Sequence, residues 1–213
     1  MINGTKPSMA AALVVAFASP TIAEIIEYRY QGTVTGIEDE LNILGDIVGA
    51  TTFEGRFFVD TSEVLLDAPT QRRFNVTSHS VEIGGREFVA TTAGLSIRDD
   101  FLTPGPFGVN VDEVDLSGTP ELPAGADDGF MSFILEGGSD WFTGLGVPGT
   151  DVFDPANPAV NAARFSLLFT AGDGIPFFDR SFVSGEVTTI ERIPAPGTAL
   201  PFLGVLALAR RRR

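Results

Sequence analysis

Two carboxylates stand just ahead of the single tryptophan, in the stretch Glu136-Gly137-Gly138-Ser139-Asp140-Trp141-Phe142. Two acids roughly 5 to 10 Å apart beside an aromatic sugar platform are what glycoside chemistry requires. Glu136, Asp140 and Trp141 are therefore the candidate ligand-binding residues. The competing reading is a strand-ending loop in which Trp141 caps the core. A second set of acids suits a hard cation: Asp112, Glu113 and Asp115, then Asp127 and Asp128, then Asp151 and Asp154 fall in or beside flexible loops. From these, Asp112, Asp115, Asp127 and Asp128 are the candidate calcium ligands. None has the spacing of an EF-hand loop, and a solvated acidic surface accounts for the same residues.

Other chemistry is limited by the inventory. The one histidine, His79, would have to serve any Ser-His-Asp arrangement. Strand alternation points it the same way as Val81 and Ile83, which reads as a core or sheet-edge histidine with one hydrogen bond. One histidine and no cysteine leave no zinc site, no thiolate nucleophile and no disulfide framework. The glycines fall between strands without a following Gly-Lys-Ser/Thr and helix start, so no phosphate-binding loop is present. No catalytic residue is assigned.

The elements that would carry these side chains read as short strands. Ile26, Tyr28, Tyr30 and Val34 alternate with Glu27, Arg29, Gln31 and Thr33, the period-two pattern of a half-buried strand. Phe53, Phe57 and Val59 point inward along a strand from 51 to 60, after an acidic connection that carries Leu41, Ile43 and Leu44. Strands 78–83 and 86–92 flank Gly84-Gly85, a pair suited to the positive φ angles of a primed hairpin turn. Further strands are predicted at 95–98, 109–116, 130–135, 164–170 and 182–190, which makes about nine. The nearest approach to a helix is 158–163. The expected fold is all-β, an antiparallel β-sandwich of jelly-roll type.

Both ends carry signals. Lys6, the apolar run Met9 to Ala18 and then Thr21-Ile22-Ala23 have the layout of a secretory signal peptide, with the cut expected between Ala23 and Glu24 and Ala18 as the alternative. At the other end Pro194-Ala195-Pro196 leads into an apolar run from Ala199 to Ala209 and the block Arg210, Arg211, Arg212, Arg213. A helix from 198 to 209 would be about 18 Å long, against roughly 30 Å of hydrocarbon, so it would hold the chain in a bilayer only marginally. The arginines would stay on the cytoplasmic side. The domains expected are thus a signal peptide (1–23), a β-sandwich (24–192) and a sorting tail (193–213) with a short apolar helix.

This tripartite tail resembles the PEP-CTERM sorting signal of Gram-negative bacteria, with Pro-Ala-Pro where that family has Pro-Glu-Pro. The opening YQGTVTGI followed by TTFEGRFFVDT also resembles the start of many PEP-CTERM bodies, which are predicted β-sandwiches. The resemblance implies handling by an exosortase, a membrane-embedded, cysteine-dependent transpeptidase-like enzyme that cuts near the proline motif. It implies transient anchoring in the inner membrane through the C-terminal helix, then display on the cell surface or release into an exopolysaccharide or biofilm matrix.

Charge fits export and excludes one class of partner. Between Glu24 and Arg192 nine arginines face 28 acids, a net charge of −19, with no lysine. Such a surface repels phosphate backbones, which argues against nucleic acid. The expected function is that of a non-enzymatic exported surface or matrix protein. The alternatives are a calcium-assisted, lectin-like carbohydrate-binding module and, behind it, a glycoside hydrolase.

Overall fold

The computed structural model describes residues 25–102, 109–147, 149, 153–172 and 179–193. The expected signal peptide with its Ala23–Glu24 cut, and the Pro-Ala-Pro, apolar helix and arginine parts of the tail, lie outside the described residues. Ile193, where the tail was placed to begin, is the last residue of a strand.

Eight strands, and no helix among the described residues, make up the fold: β1 (Ile25–Asp39), β2 (Thr52–Ala68), β3 (Gln71–Ile83), β4 (Arg86–Leu102), β5 (Asn110–Pro120), β6 (Asp128–Gly138), β7 (Val160–Thr170) and β8 (Arg180–Ile193). Each pairs antiparallel with its sequence neighbours, and β8 pairs with β1 from Glu27↔Ile193 to Asp39↔Ser181. The sheet is a closed up-and-down barrel, which corrects the jelly-roll sandwich. Alternation of apolar and polar residues is common to both architectures, because each buries one face of every strand. What separates them is connectivity, and here no strand crosses to a second sheet. The strands 86–92 and 95–98 of the sequence reading are one strand, β4, carried past a register shift between Ala90 and Thr92. The stretch 158–163 runs into β7 rather than a helix.

The barrel is filled by its inward side chains. Tyr28 stacks on Phe57 with ring centroids 5.0 Å apart, Tyr30 on Phe133 at 5.2 Å, and Phe53 on Phe165 at 4.7 Å. Burying each such ring is worth roughly 1.5–3 kcal/mol. Phe53 fits because β1 and β8 present Gly32 and Gly185 opposite it; a Cβ at either would overlap its ring. The ladder slips between Gln31 and Gly32 at that point, where Thr188 is the extra residue of β8, a bulge that bends β8 around the barrel.

Each end is closed by a loop. At the distal end, where Gly84 and Gly85 turn with φ of 59° and 86°, the β1–β2 connection tucks Leu44 and Ile47 into the core. Asp39 fastens it, accepting from the Ile43 and Leu44 N–H groups at 2.9 and 3.0 Å and from the Ser181 hydroxyl at 2.6 Å. Burial pushes the Asp39 carboxyl up, but these bonds and the Arg86 charge more than offset it, so it sits below the usual carboxylate range. At the proximal end, where β1 begins and β8 finishes, the β6–β7 connection buries Trp141, Phe142 and Phe153.

Candidate functional site

Inside the barrel His79 and Tyr30 form a polar pair, their Nε2 and hydroxyl 2.8 Å apart. His79 is fully buried and edged by Phe57. Burial lowers its pKa to about 3, so the ring is neutral. Its Nδ1 has no partner. Sealed from solvent, with the Tyr30 hydroxyl on one nitrogen and aromatic rings around it, it is a core histidine.

The acids chosen from the sequence do not converge. Trp141 is buried in the proximal plug, its indole laid on Gly137 and edge-on to Phe142. It offers no face to a sugar. Glu136 lies on the outer wall and pairs with Arg164 at 3.3 Å, while Asp140 is exposed in the turn after β6. Asp112 and Asp115 share β5 at odd spacing and so face opposite sides. Asp112 points inward at the proximal end. Asp115 points outward between Arg98 and Arg73; its burial pushes the carboxyl up against the pull of those two charges. Asp127 and Asp128 are at the distal end, where they accept from the Gly172 and Gly129 N–H groups at 2.8 and 2.7 Å.

Asp112 does acquire neighbours that the sequence reading missed. Asp99 and Asp100, at the end of β4, bring carboxylate oxygens within 4.8 Å of it and of each other. The Asp112 oxygens are already engaged: Oδ1 accepts from the Asp100 N–H at 2.9 Å and Oδ2 from the Phe142 N–H at 3.0 Å. Asp99 accepts from the Gly144 N–H at 2.6 Å. The group therefore works as a latch that ties the plug to β4 and β5. Adjacency of Asp99 and Asp100 was visible in the sequence, but their meeting with Asp112 depends on the register shift between Arg98 and Phe101.

A groove of about 580 Å³ runs along the outer wall across β8, β1, β2, β3 and β4. Glu54, Glu82 and Glu87 stand in direct cross-strand register along it. Like charges so placed are unfavourable, and Arg56, 3.8 Å from Glu87, offsets part of that cost. Gln31 and Thr189 continue that row across β1 and β8, and Arg56, Arg29 and Glu191 form the row beside it. The groove presents rigid, alternating donors and acceptors to solvent, with no nucleophile–base pair. No family model, curated protein or solved structure matches this chain.

Proposed function

We propose that the chain is a non-enzymatic exported protein, processed by an exosortase-like transpeptidase and associated with the exopolysaccharide of the cell surface or matrix. One observation carries the non-catalytic part of this reading: the interior is filled by side chains, and the only imidazole is sealed within it as a neutral base. What remains for contact with other molecules is the outer wall. There the groove over β1, β2 and β3 supplies carboxylate acceptors and guanidinium donors of the kind that bind polyol hydroxyls. It lacks an exposed aromatic platform, so each sugar would be held weakly and affinity would accumulate along a polymer.

Pull-down of the full chain on the producer's own exopolysaccharide tests this. Wild type is expected to bind, and the double variant Glu54→Gln, Glu82→Gln is expected to lose most of the bound fraction while keeping its fold by circular dichroism. Binding that survives in that variant but disappears with chelator would replace the groove with the calcium-assisted, lectin-like alternative. No retention of wild type on the polysaccharide would overturn the matrix role.

A further inference from the structure

Six consecutive residues of β2, Ser62 to Asp67, are exposed, so neither face of this part of the strand is covered by the barrel. The run includes Val64, Leu65 and Leu66, which are 43%, 52% and 44% exposed. They pair with the start of β3, which itself stays paired to β4 through Gln71↔Arg98, and form an arm on the other side, where the described part of β1 ends level with Asp60, short of it. The flanking acids are already partnered, Asp67 by Arg72 at 3.0 Å and Glu63 by Asn75 at 2.8 Å. Of the nine large apolar side chains exposed among the described residues, six are at the proximal end: these three with Ile25, Leu102 and Val109. Three exposed apolar residues in a row on an uncovered arm are costly in water.

The same end is where the chain leaves for the tail. Ile193 and Phe58 both pair with Glu27, so the tail and the arm set out from the two strands that flank β1. Seven residues of strand separate Phe58 from Leu65, about 23 Å at 3.3 Å per residue. Six residues separate Ile193 from Ala199, where the apolar run of the tail begins, a reach of about 20 Å. A fully extended connection therefore lets the apolar run reach as far as the arm does.

We infer that the arm of β2 around Leu65 rests in the surface of the membrane that holds the tail, so that the barrel stands with its proximal end down and presents Pro194-Ala195-Pro196 at the bilayer surface to a membrane-embedded transpeptidase. This rests on the reading of the tail as a transient anchor. A lipid layer is favoured over a second copy for two reasons. It can surround both faces of the arm, whereas a sheet covers one. The ladder of β2 is also broken between Asp60 and Val64 and again between Val64 and Leu66, which spoils strand-to-strand addition at this edge. With its acids paired, the arm suits a zwitterionic headgroup layer.

The chain has no cysteine, so a single one can be labelled uniquely. Leu65→Cys, Val48→Cys at the distal end and Leu203→Cys in the tail are each labelled with a fluorophore in the full chain and reconstituted in phosphatidylcholine vesicles. A quencher carried on the lipid is expected to reach the Leu203 and Leu65 labels and to spare Val48, the Leu65 signal falling about threefold more than that of Val48, as contact at an interfacial depth of roughly 5–10 Å requires. A quenched Leu203 label with Leu65 still open to aqueous iodide would overturn the arm contact and leave the anchor intact. Failure of both labels to meet lipid would remove the anchor reading and the arm contact together. Protection of Leu65 from iodide without vesicles would assign the arm to another occupant: to a second copy where protection grows with protein concentration, and to the chain's own tail where it does not.

Discussion

His79 shows how a residue that could have been chemical is used structurally. Its neutral ring fills a place among Tyr30 and Phe57, one nitrogen shares a hydrogen bond with the tyrosine, and the other is left without one. Burial also pushes the Tyr30 hydroxyl well above its usual range, so that group stays protonated. The pH consequence has a definite sign. With a folded pKa of about 3 against an ordinary 6.5, the unfolded chain binds the extra proton between those values, so stability is full above 6.5 and falls as the solution is acidified toward 3. Between pH 7 and pH 5 the loss is expected to be about 2 kcal/mol in denaturant titrations, while the single imidazole resonance stays at its neutral position in proton spectra. A resonance that titrates near 6.5 in the folded protein would contradict the buried assignment. Of this, the sequence revealed the inward direction of His79 through its parity with Val81 and Ile83. It did not reveal Tyr30 as the partner, which is 49 residues away and two strands over.

At the level of elements, the strands are shaped by where side chains are missing. Tyr30 and Gly55 are cross-strand partners on β1 and β2, and the tyrosine ring lies over the glycine where a Cβ would overlap it. Gly55→Ala must move Tyr30, which is itself held by Phe133, and is expected to cost about 1–3 kcal/mol in chemical denaturation. Gly146→Ala, with open space around its Cβ, is expected to stay within about 0.5 kcal/mol of wild type. Equal effects of the two would mean that close packing on glycine does not set the path of β2. Here the sequence was partly legible. The Gly84-Gly85 hairpin announces itself because a local turn needs only local residues, and the alternation of Phe53, Phe57 and Val59 marks the inner face of β2. The roles of Gly32, Gly55 and Gly185 were not legible, since each is defined by a ring brought in from another strand.

For the whole molecule, closure decides what the barrel can do. An eight-stranded barrel is just wide enough for its own side chains to fill, and this one spends that space on tyrosines and phenylalanines. Contact with other molecules is thereby moved to the outer wall and the ends. A strand-by-strand reading recovers which faces are apolar, but the sandwich and the barrel differ only in which edges meet, and the β1–β8 pairing joins residues at opposite ends of the domain. The same limit explains the scattered acids: Asp112, Asp115, Asp127 and Asp128 are near in sequence, and the pleat and the barrel axis separate them. The central claim, an exported barrel trimmed at both ends, is tested most directly by the intact mass of the protein recovered from its host in surface and medium fractions. The account predicts a chain that begins at Glu24 and ends between Pro194 and Gly197; a mass that retains Arg213 in both fractions would contradict it.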